Sequence, residues 1–173
     1  MGFCLLVCEV IATWFYCGRA PFAPGTVGSA AALLFFPLAI SNALFGFILL
    51  CALFLVGILS VDGYLKHRPG VSDPKEVVVD EICGQLFVFV IIAACVKTGV
   101  VAISQNCGPY DSLRLLLSGF ISFRVFDIAK PWPICVIDKS VKGALGVMLD
   151  DIAAALPAAV VTLAVESTRW CLY

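Results

Sequence analysis

Charged residues are scarce in this sequence. Of its 173 residues, 13% are charged and 62% are hydrophobic, whereas soluble domains carry roughly 25% charged residues. Such a composition is typical of an integral membrane protein. The formal net charge is -1, which leaves no basic surplus for binding a polyanion, and no nucleic-acid partner is therefore expected.

Histidine is nearly absent, and the cysteines lack the spacing of a functional site. The one histidine, His67, stands between Lys66 and Arg68, which is typical of a solvated loop and excludes phosphatases built on two histidines. The nine cysteines lie mostly in apolar stretches, with no C-x-x-C pair and no C-x5-R run. A disulfide framework, a zinc site and a thiolate phosphatase are therefore not expected. The motifs D-x-D-x-T and D-G-x-x-A-R are also missing.

Long apolar stretches are what the sequence does contain, and they predict an all-α fold. We expect one domain over residues 1–173, a polytopic membrane bundle of about four to five apolar helices preceded by an apolar or amphipathic helix over residues 3–16. Glu9 and the lack of a basic start argue against a cleavable signal peptide there. Residues 18–28 are predicted to be a loop, with Thr26 as the cap of the next helix. The five apolar segments are residues 26–40, 43–61, 81–103, 112–126 and 143–165.

The first of these segments is short for a crossing of about 20 residues, so we expect it to be broken or tilted. If the five segments cross the membrane in alternating directions, most of the lysines and arginines lie on one side. The positive-inside rule identifies that side as cytoplasmic. The same arrangement brings the acids at the segment ends to that side. Asp111 and Glu166 fall outside this convergence and are expected to be dispensable for activity. The converging acids are Asp62, Asp80, Glu81, Asp127, Asp150 and Asp151.

A cluster of carboxylates without His or Cys partners favours Mg²⁺. The metal ligands are predicted to be Glu81, Asp127, Asp150 and Asp151, and catalysis is assigned to these four together with Asp80 and Lys130. A simpler interpretation of Asp150 and Asp151 is that they lie in the first turn of a helix, where negative charge is favourable.

Basic and small residues near the acids are the candidates for binding phosphate. Arg124 and Lys130 flank Asp127 at spacings of three residues, although Arg124 and Asp127 also fit a plain intrahelical ion pair. Thr26, Gly28 and Ser29 follow a Pro-Gly turn and could offer backbone N–H groups and hydroxyls to an anion, although glycines before a membrane helix more often serve only the turn.

Four motifs in this order resemble the phosphatidylglycerophosphatase A family of bacterial membrane lipid phosphatases. The combination of KPWPI with G-x-M-x-D-D is the most specific part of the resemblance. The motifs are APGTVGS (23–29), DPKEVVVDE (73–81), FRVFDIAKPWPI (123–134) and GALGVMLDDIAAA (143–155).

The resemblance implies a Mg²⁺-dependent enzyme that hydrolyses phosphatidylglycerophosphate to phosphatidylglycerol and phosphate at the cytoplasmic face of a bacterial inner membrane. Its partners would be this lipid substrate and the surrounding membrane lipids. Two other hypotheses remain open. One is a membrane cation transporter, but the acids of transporters lie near the midplane on broken helices and often in repeated halves. The other is a non-catalytic relative that binds anionic lipid.

Overall fold

The computed structural model describes residues 2–68, 74–99 and 109–170, and these residues form helices and connecting turns. The prediction of an all-α fold is confirmed. Short 3₁₀ turns cover Cys17–Arg19 and Leu33–Phe35. The α-helices are α1 (Phe3–Ala12), α2 (Pro24–Ala32), α3 (Phe36–Ser41), α4 (Ala43–Lys66), α5 (Val79–Lys97), α6 (Pro109–Ala129), α7 (Ile134–Ser140) and α8 (Gly143–Trp170).

Four stretches are long and apolar enough to cross a membrane: Pro24–Ser41, Ala43–Lys66, Val79–Lys97 and Gly143–Ser167. The first is broken, as expected, because the 3₁₀ turn separates α2 from α3. The turn predicted between the first two segments is confirmed by its cap. The side chain of Asn42 accepts hydrogen bonds from the N–H groups of Leu44 and Phe45, each at 3.1 Å, which satisfies two of the free donors of α4.

Helix α6 corresponds to the fourth of the five predicted apolar segments, residues 112–126, but it is too charged to meet the same criterion. Its charges lie near its two ends, with Asp111 and Arg114 at the start and Arg124 and Asp127 at the finish. At about 1.5 Å per residue its 21 residues span about 31 Å. The helix is therefore long enough to run the depth of the bundle, antiparallel to α5 and α8.

Several predicted boundaries were wrong. Helix α1 ends at Ala12 rather than at residue 16, because Thr13 hydrogen-bonds to the carbonyl of Glu9 and the next three residues have positive φ. Helix α2 begins at Pro24, so Thr26 lies in its first turn and is not its cap. Helix α5 ends at Lys97 rather than at residue 103. Most of the turn predicted at residues 104–110 lies outside the described residues.

The core of the bundle is α5, which is the most buried of the apolar helices and packs mainly against α8. The two helices approach closely at Gly84, where a Cβ would stand 3.0 Å from the backbone oxygen of Asp151 and 2.6 Å from the ring of Phe123. Only a residue without a side chain allows this approach. The start of α5 is tied to α1 because the N–H of Val78 donates to the carbonyl of Ala12 at 3.0 Å. These contacts bring the acidic start of α5 beside α8.

Candidate active site

A cavity of about 330 Å³ opens where the starts of α2, α5 and α8 meet the end of α6 and the segment around α7. The side chains that line it carry charges of both signs, with six acids and four bases. The six acids are Asp80, Glu81, Asp127, Asp138, Asp150 and Asp151, and the four bases are Lys75, Arg124, Lys130 and Lys142. Five of the six acids predicted to converge therefore line one cavity, whereas Asp62 lies outside it and pairs with Lys66 one turn along α4.

Three of the acids form a compact group that makes no ion pair with any lysine or arginine in the described part of the chain. Asp80, Glu81 and Asp151 each offer a carboxylate oxygen, and these oxygens lie within 4.8 Å of one another. Asp80 and Asp151 are 8% and 3% exposed. Among the described residues, one buried oxygen of each of the three side chains has no hydrogen-bond partner. Buried charges without partners are costly, so this group fits a bound cation, and its oxygen donors suit Mg²⁺.

Arg124 connects α6 to the start of α2. Its Nη1 lies 2.5 Å from a carboxylate oxygen of Asp127, three residues further along the same helix. The same nitrogen donates to the hydroxyl of Ser29 at 3.1 Å, and that hydroxyl donates to the carbonyl of Gly25 at 2.9 Å. The intrahelical ion pair that the sequence left open is thus formed. Because a guanidinium has five donors, the pair leaves donors of Arg124 for a ligand.

Lys130 lies just beyond α6, with a φ of 40°, and is followed by Pro131. Its Nζ binds Asp138 at 2.6 Å and also contacts the carboxylate of Asp150. Burial acts to lower the pKa of Lys130, but the hydrogen bonds that Lys130 donates to Asp138 and Asp150 outweigh it and raise the pKa. The hydrogen bond from Lys130 in turn lowers the pKa of Asp138. Lys130 and Asp138 therefore both carry their charge at neutral pH.

The predicted metal ligands are thus divided between two arrangements. Glu81 and Asp151 belong to the compact group without a cation. Asp127 is paired with Arg124, and Asp150 is paired with Lys130. All four line the cavity, and their assignment to a metal stays a prediction.

The predicted phosphate-binding loop contributes to the cavity through different residues than expected. Gly25 lines the cavity, and a side chain there would overlap the carboxylate of Glu81. Ser29 supports Arg124 from outside the lining. Gly28 packs against Val78, where a Cβ would stand 2.7 Å from that of the valine. Thr26 and Gly28 are not among the lining residues, so their phosphate-binding role stays a prediction.

Two polar residues near the acids were missed by the sequence. Asp138 lies on the short helix α7 and binds Lys130, and no motif spacing marks it. Gln85 lies on α5 one helical turn after Glu81, is fully buried, and has no hydrogen-bond partner for either amide atom within the described part of the chain. A single glutamine in an apolar helix offers no signal that would have identified it.

Comparison with known proteins gives a consistent family assignment. The profile of the family described as Phosphatidylglycerophosphatase A matches residues 10–166. A protein of Escherichia coli K12 named Phosphatidylglycerophosphatase A is 31% identical over 150 residues, which cover 84% of this chain and 76% of the relative. A Haemophilus influenzae protein of the same name is 33% identical over 166 residues, which cover 91% and 88%. No solved structure matches the chain.

Proposed function

Because this chain belongs to the phosphatidylglycerophosphatase A family, we propose that it releases phosphate from phosphatidylglycerophosphate with the help of a divalent cation, Mg²⁺ first. The products would be phosphatidylglycerol and inorganic phosphate, so the enzyme would supply phosphatidylglycerol to the membrane. The single observation that carries the proposal is the compact group of three carboxylates, buried Asp80 and Asp151 with half-buried Glu81, beside the cations Arg124 and Lys130.

The reaction is a hydrolysis of a phosphate monoester. Water attacks the phosphorus, the bond between phosphorus and the glycerol oxygen breaks, and that oxygen takes up a proton. A divalent cation, when bound, polarises the phosphoryl oxygens and makes a bound water more acidic. Asp80, Glu81 and Asp151 are the residues that would hold it, because one buried oxygen of each has no hydrogen-bond partner among the described residues.

The cations of the site would bind and orient the substrate phosphate. Arg124 is fixed by Asp127 and Ser29 and keeps free donors. Lys130 uses two of its three donors on Asp138 and Asp150, so one remains for a phosphate oxygen. Fixed cations of this kind stabilise the negative charge that develops on the transferred phosphoryl group. Asp127 and Asp150 would hold these two cations in place within the site.

The cavity is at the membrane end that carries most of the lysines and arginines. Among its lining residues are Lys75, Lys130 and Lys142, and the positive-inside rule assigns such an end to the cytoplasm. We therefore propose that the site faces the cytoplasm from a bacterial inner membrane. A cysteine introduced at exposed Ser140 should be labelled by a membrane-impermeant thiol reagent only after the cells are opened, in a background without the native cysteines. Labelling in intact cells would contradict this orientation.

The decisive test of the activity is phosphate release by the purified protein in detergent micelles that contain phosphatidylglycerophosphate. We expect release with Mg²⁺, loss of release with EDTA, and recovery when Mg²⁺ is added in excess. The Asp151→Asn variant should be inactive, and Glu166→Gln, which alters a buried acid on the same helix away from the cavity, should remain active. Phosphate release that persists in EDTA would show that the reaction needs no divalent cation. If no phosphate is released with Mg²⁺, phosphatidylglycerophosphate is not the substrate.

A further inference from the structure

The charges of the cavity are separated by their pairing. Of the four bases, Arg124 is paired with Asp127, and Lys130 is paired with Asp138 and Asp150. The remaining bases, Lys75 and Lys142, make no ion pair with any described residue. Within the described residues, the cavity thus has one group of acids that makes no ion pair with a base and one pair of lysines that makes no ion pair with an acid.

The two unpaired groups lie at different depths. Asp80 and Asp151 are buried at the base of the cavity, whereas Lys75 and Lys142 are exposed. Lys75 precedes α5 and Lys142 precedes α8, so the lysines come from two separate segments that both border the opening. Asp150 lies seven residues after Gly143, the first residue of α8, which corresponds to about 10.5 Å along the helix, and Lys142 precedes that helix. The mouth is therefore positive and the base is negative.

The surroundings of Lys142 increase its preference for an anion. The residue immediately precedes α8, and the N-terminus of a helix carries a partial positive charge that disfavours a cation. No acid stands in the first turn of α8 to offset it. Asp138 is near enough for Lys142 to help lower its pKa, but its carboxylate is bound to Lys130. A negatively charged ligand at the mouth would offset the repulsion between Lys142 and the N-terminus of α8.

We propose that Lys75 and Lys142 form a second anion site that binds the phosphodiester of the lipid substrate. The inference rests on the proposed function. The substrate carries a terminal phosphate monoester and a phosphodiester, separated by one glycerol unit. With the monoester at the base beside Arg124 and Lys130, the phosphodiester lies toward the mouth, between the reacting group and the acyl chains. The two lysines thereby determine specificity for a substrate with two phosphates.

The test measures which phosphate each lysine binds. Phosphatidylglycerol retains only the phosphodiester and inorganic phosphate represents only the monoester, so both are used as inhibitors of phosphatidylglycerophosphate hydrolysis in neutral detergent micelles with Mg²⁺. For Lys75→Gln and Lys142→Gln we expect KM to rise about three- to tenfold each, as for a partly exposed charge pair, with kcat retained. Inhibition by phosphatidylglycerol should weaken by a similar factor, and inhibition by inorganic phosphate should not change.

A matched control separates the headgroup from the membrane surface as the source of the anion. Lys139 is an exposed lysine on α7 that does not line the cavity, so Lys139→Gln removes the same charge nearby. It should leave KM and both inhibition constants unchanged. If Lys139→Gln had an equal effect, Lys75 and Lys142 would only attract anionic lipid in general, and the inference would be wrong. It would also be wrong if Lys75→Gln and Lys142→Gln left KM unchanged, or if they weakened inhibition by inorganic phosphate as much as inhibition by phosphatidylglycerol. Failure of the proposed function itself would appear separately, as no hydrolysis by the unaltered protein.

Discussion

Helices α6 and α8 carry ionic groups at both ends of their contact, and the two ends differ in charge balance. At the end far from the cavity, the guanidinium of Arg114 lies 3.4 Å from Asp111 and 3.6 Å from Glu166. At the cavity end, six acids face four bases, and three of the acids make no ion pair with a residue that the structure describes. Each acid named at the far end thus has a cation within 3.6 Å, whereas the three acids at the cavity end fit a bound cation.

Burial alone does not distinguish the two ends. Glu166 is 6% exposed and Asp151 is 3% exposed, and both lie on α8. Glu166 has Arg114 as its partner, whereas Asp151 has other acids as its neighbours. Like charges held together in a low-dielectric environment are unfavourable unless a cation compensates them. The absence of a protein cation, more than the burial of the acid, therefore identifies the functional end.

The largest expected effect comes from neutralising the acids that have no cation. Glu81→Gln and Asp151→Asn should each lower kcat by more than about 100-fold, because the loss for a direct ligand exceeds the 10–100-fold typical of outer-shell residues. Each substitution keeps the side-chain volume and removes one charge. The measurement is phosphate release over a range of Mg²⁺ concentrations, together with the thermal shift that Mg²⁺ causes. A variant that kept both its activity and its Mg²⁺-dependent shift would show that the unpaired group is not the cation site.

A smaller effect is expected where the acids at the cavity end are already paired. Lys130→Ala should lower kcat by about 10–100-fold, because it removes a phosphate-binding cation and leaves Asp150 without a partner. Lys130→Arg should lose part of this activity, since a planar guanidinium does not replace one ammonium held between two carboxylates. Asp138→Asn should cost less, because Asp150 still holds the lysine. Near-native turnover of Lys130→Ala at low substrate would make Lys130 an interfacial anchor only.

The two hydroxyls at the start of α2 provide a finer comparison. Ser29→Ala removes the acceptor that holds Arg124 and should lower kcat/KM by about five- to tenfold, the value of one typical intramolecular hydrogen bond. Thr26→Val should change it by less than about twofold, because Thr26 does not line the cavity. Steady-state kinetics on both variants decide the order. If Thr26→Val lowered kcat/KM more than Ser29→Ala, the direct phosphate contact that the sequence predicts for Thr26 would be supported instead.

The smallest effect on turnover is expected at the far end. Glu166→Gln and Asp111→Asn should change kcat by less than about twofold, since neither residue lies at the cavity. Glu166→Gln should still lower the Tm by about 2–4 °C, the consequence of losing about 1 kcal/mol from a partly exposed ion pair. Thermal unfolding in detergent measures the shift. A loss of turnover comparable to that of Asp151→Asn would mean that the end far from the cavity also takes part in the reaction.

Helix order and charge position were enough to predict which acids share one end of the bundle. Alternate apolar segments run in opposite directions, so residues that end one segment and start the next must lie on the same side. This placed the acids of α5, α6 and α8 together without any knowledge of packing. The Arg124–Asp127 pair could also be predicted, because a spacing of three residues fixes neighbours on one helix.

Contacts between helices were decided only by the tertiary structure. The sequence allowed all the acids to serve a metal, but the rotation and depth of the helices pair Asp150 with Lys130 and bring Asp138 to the same lysine. They leave Asp80, Glu81 and Asp151 without an ion pair to any described residue. These distances depend on close packing at points such as Gly84. Local spacing determines partners within a helix, whereas the distribution of charge across a cavity depends on how separate helices meet.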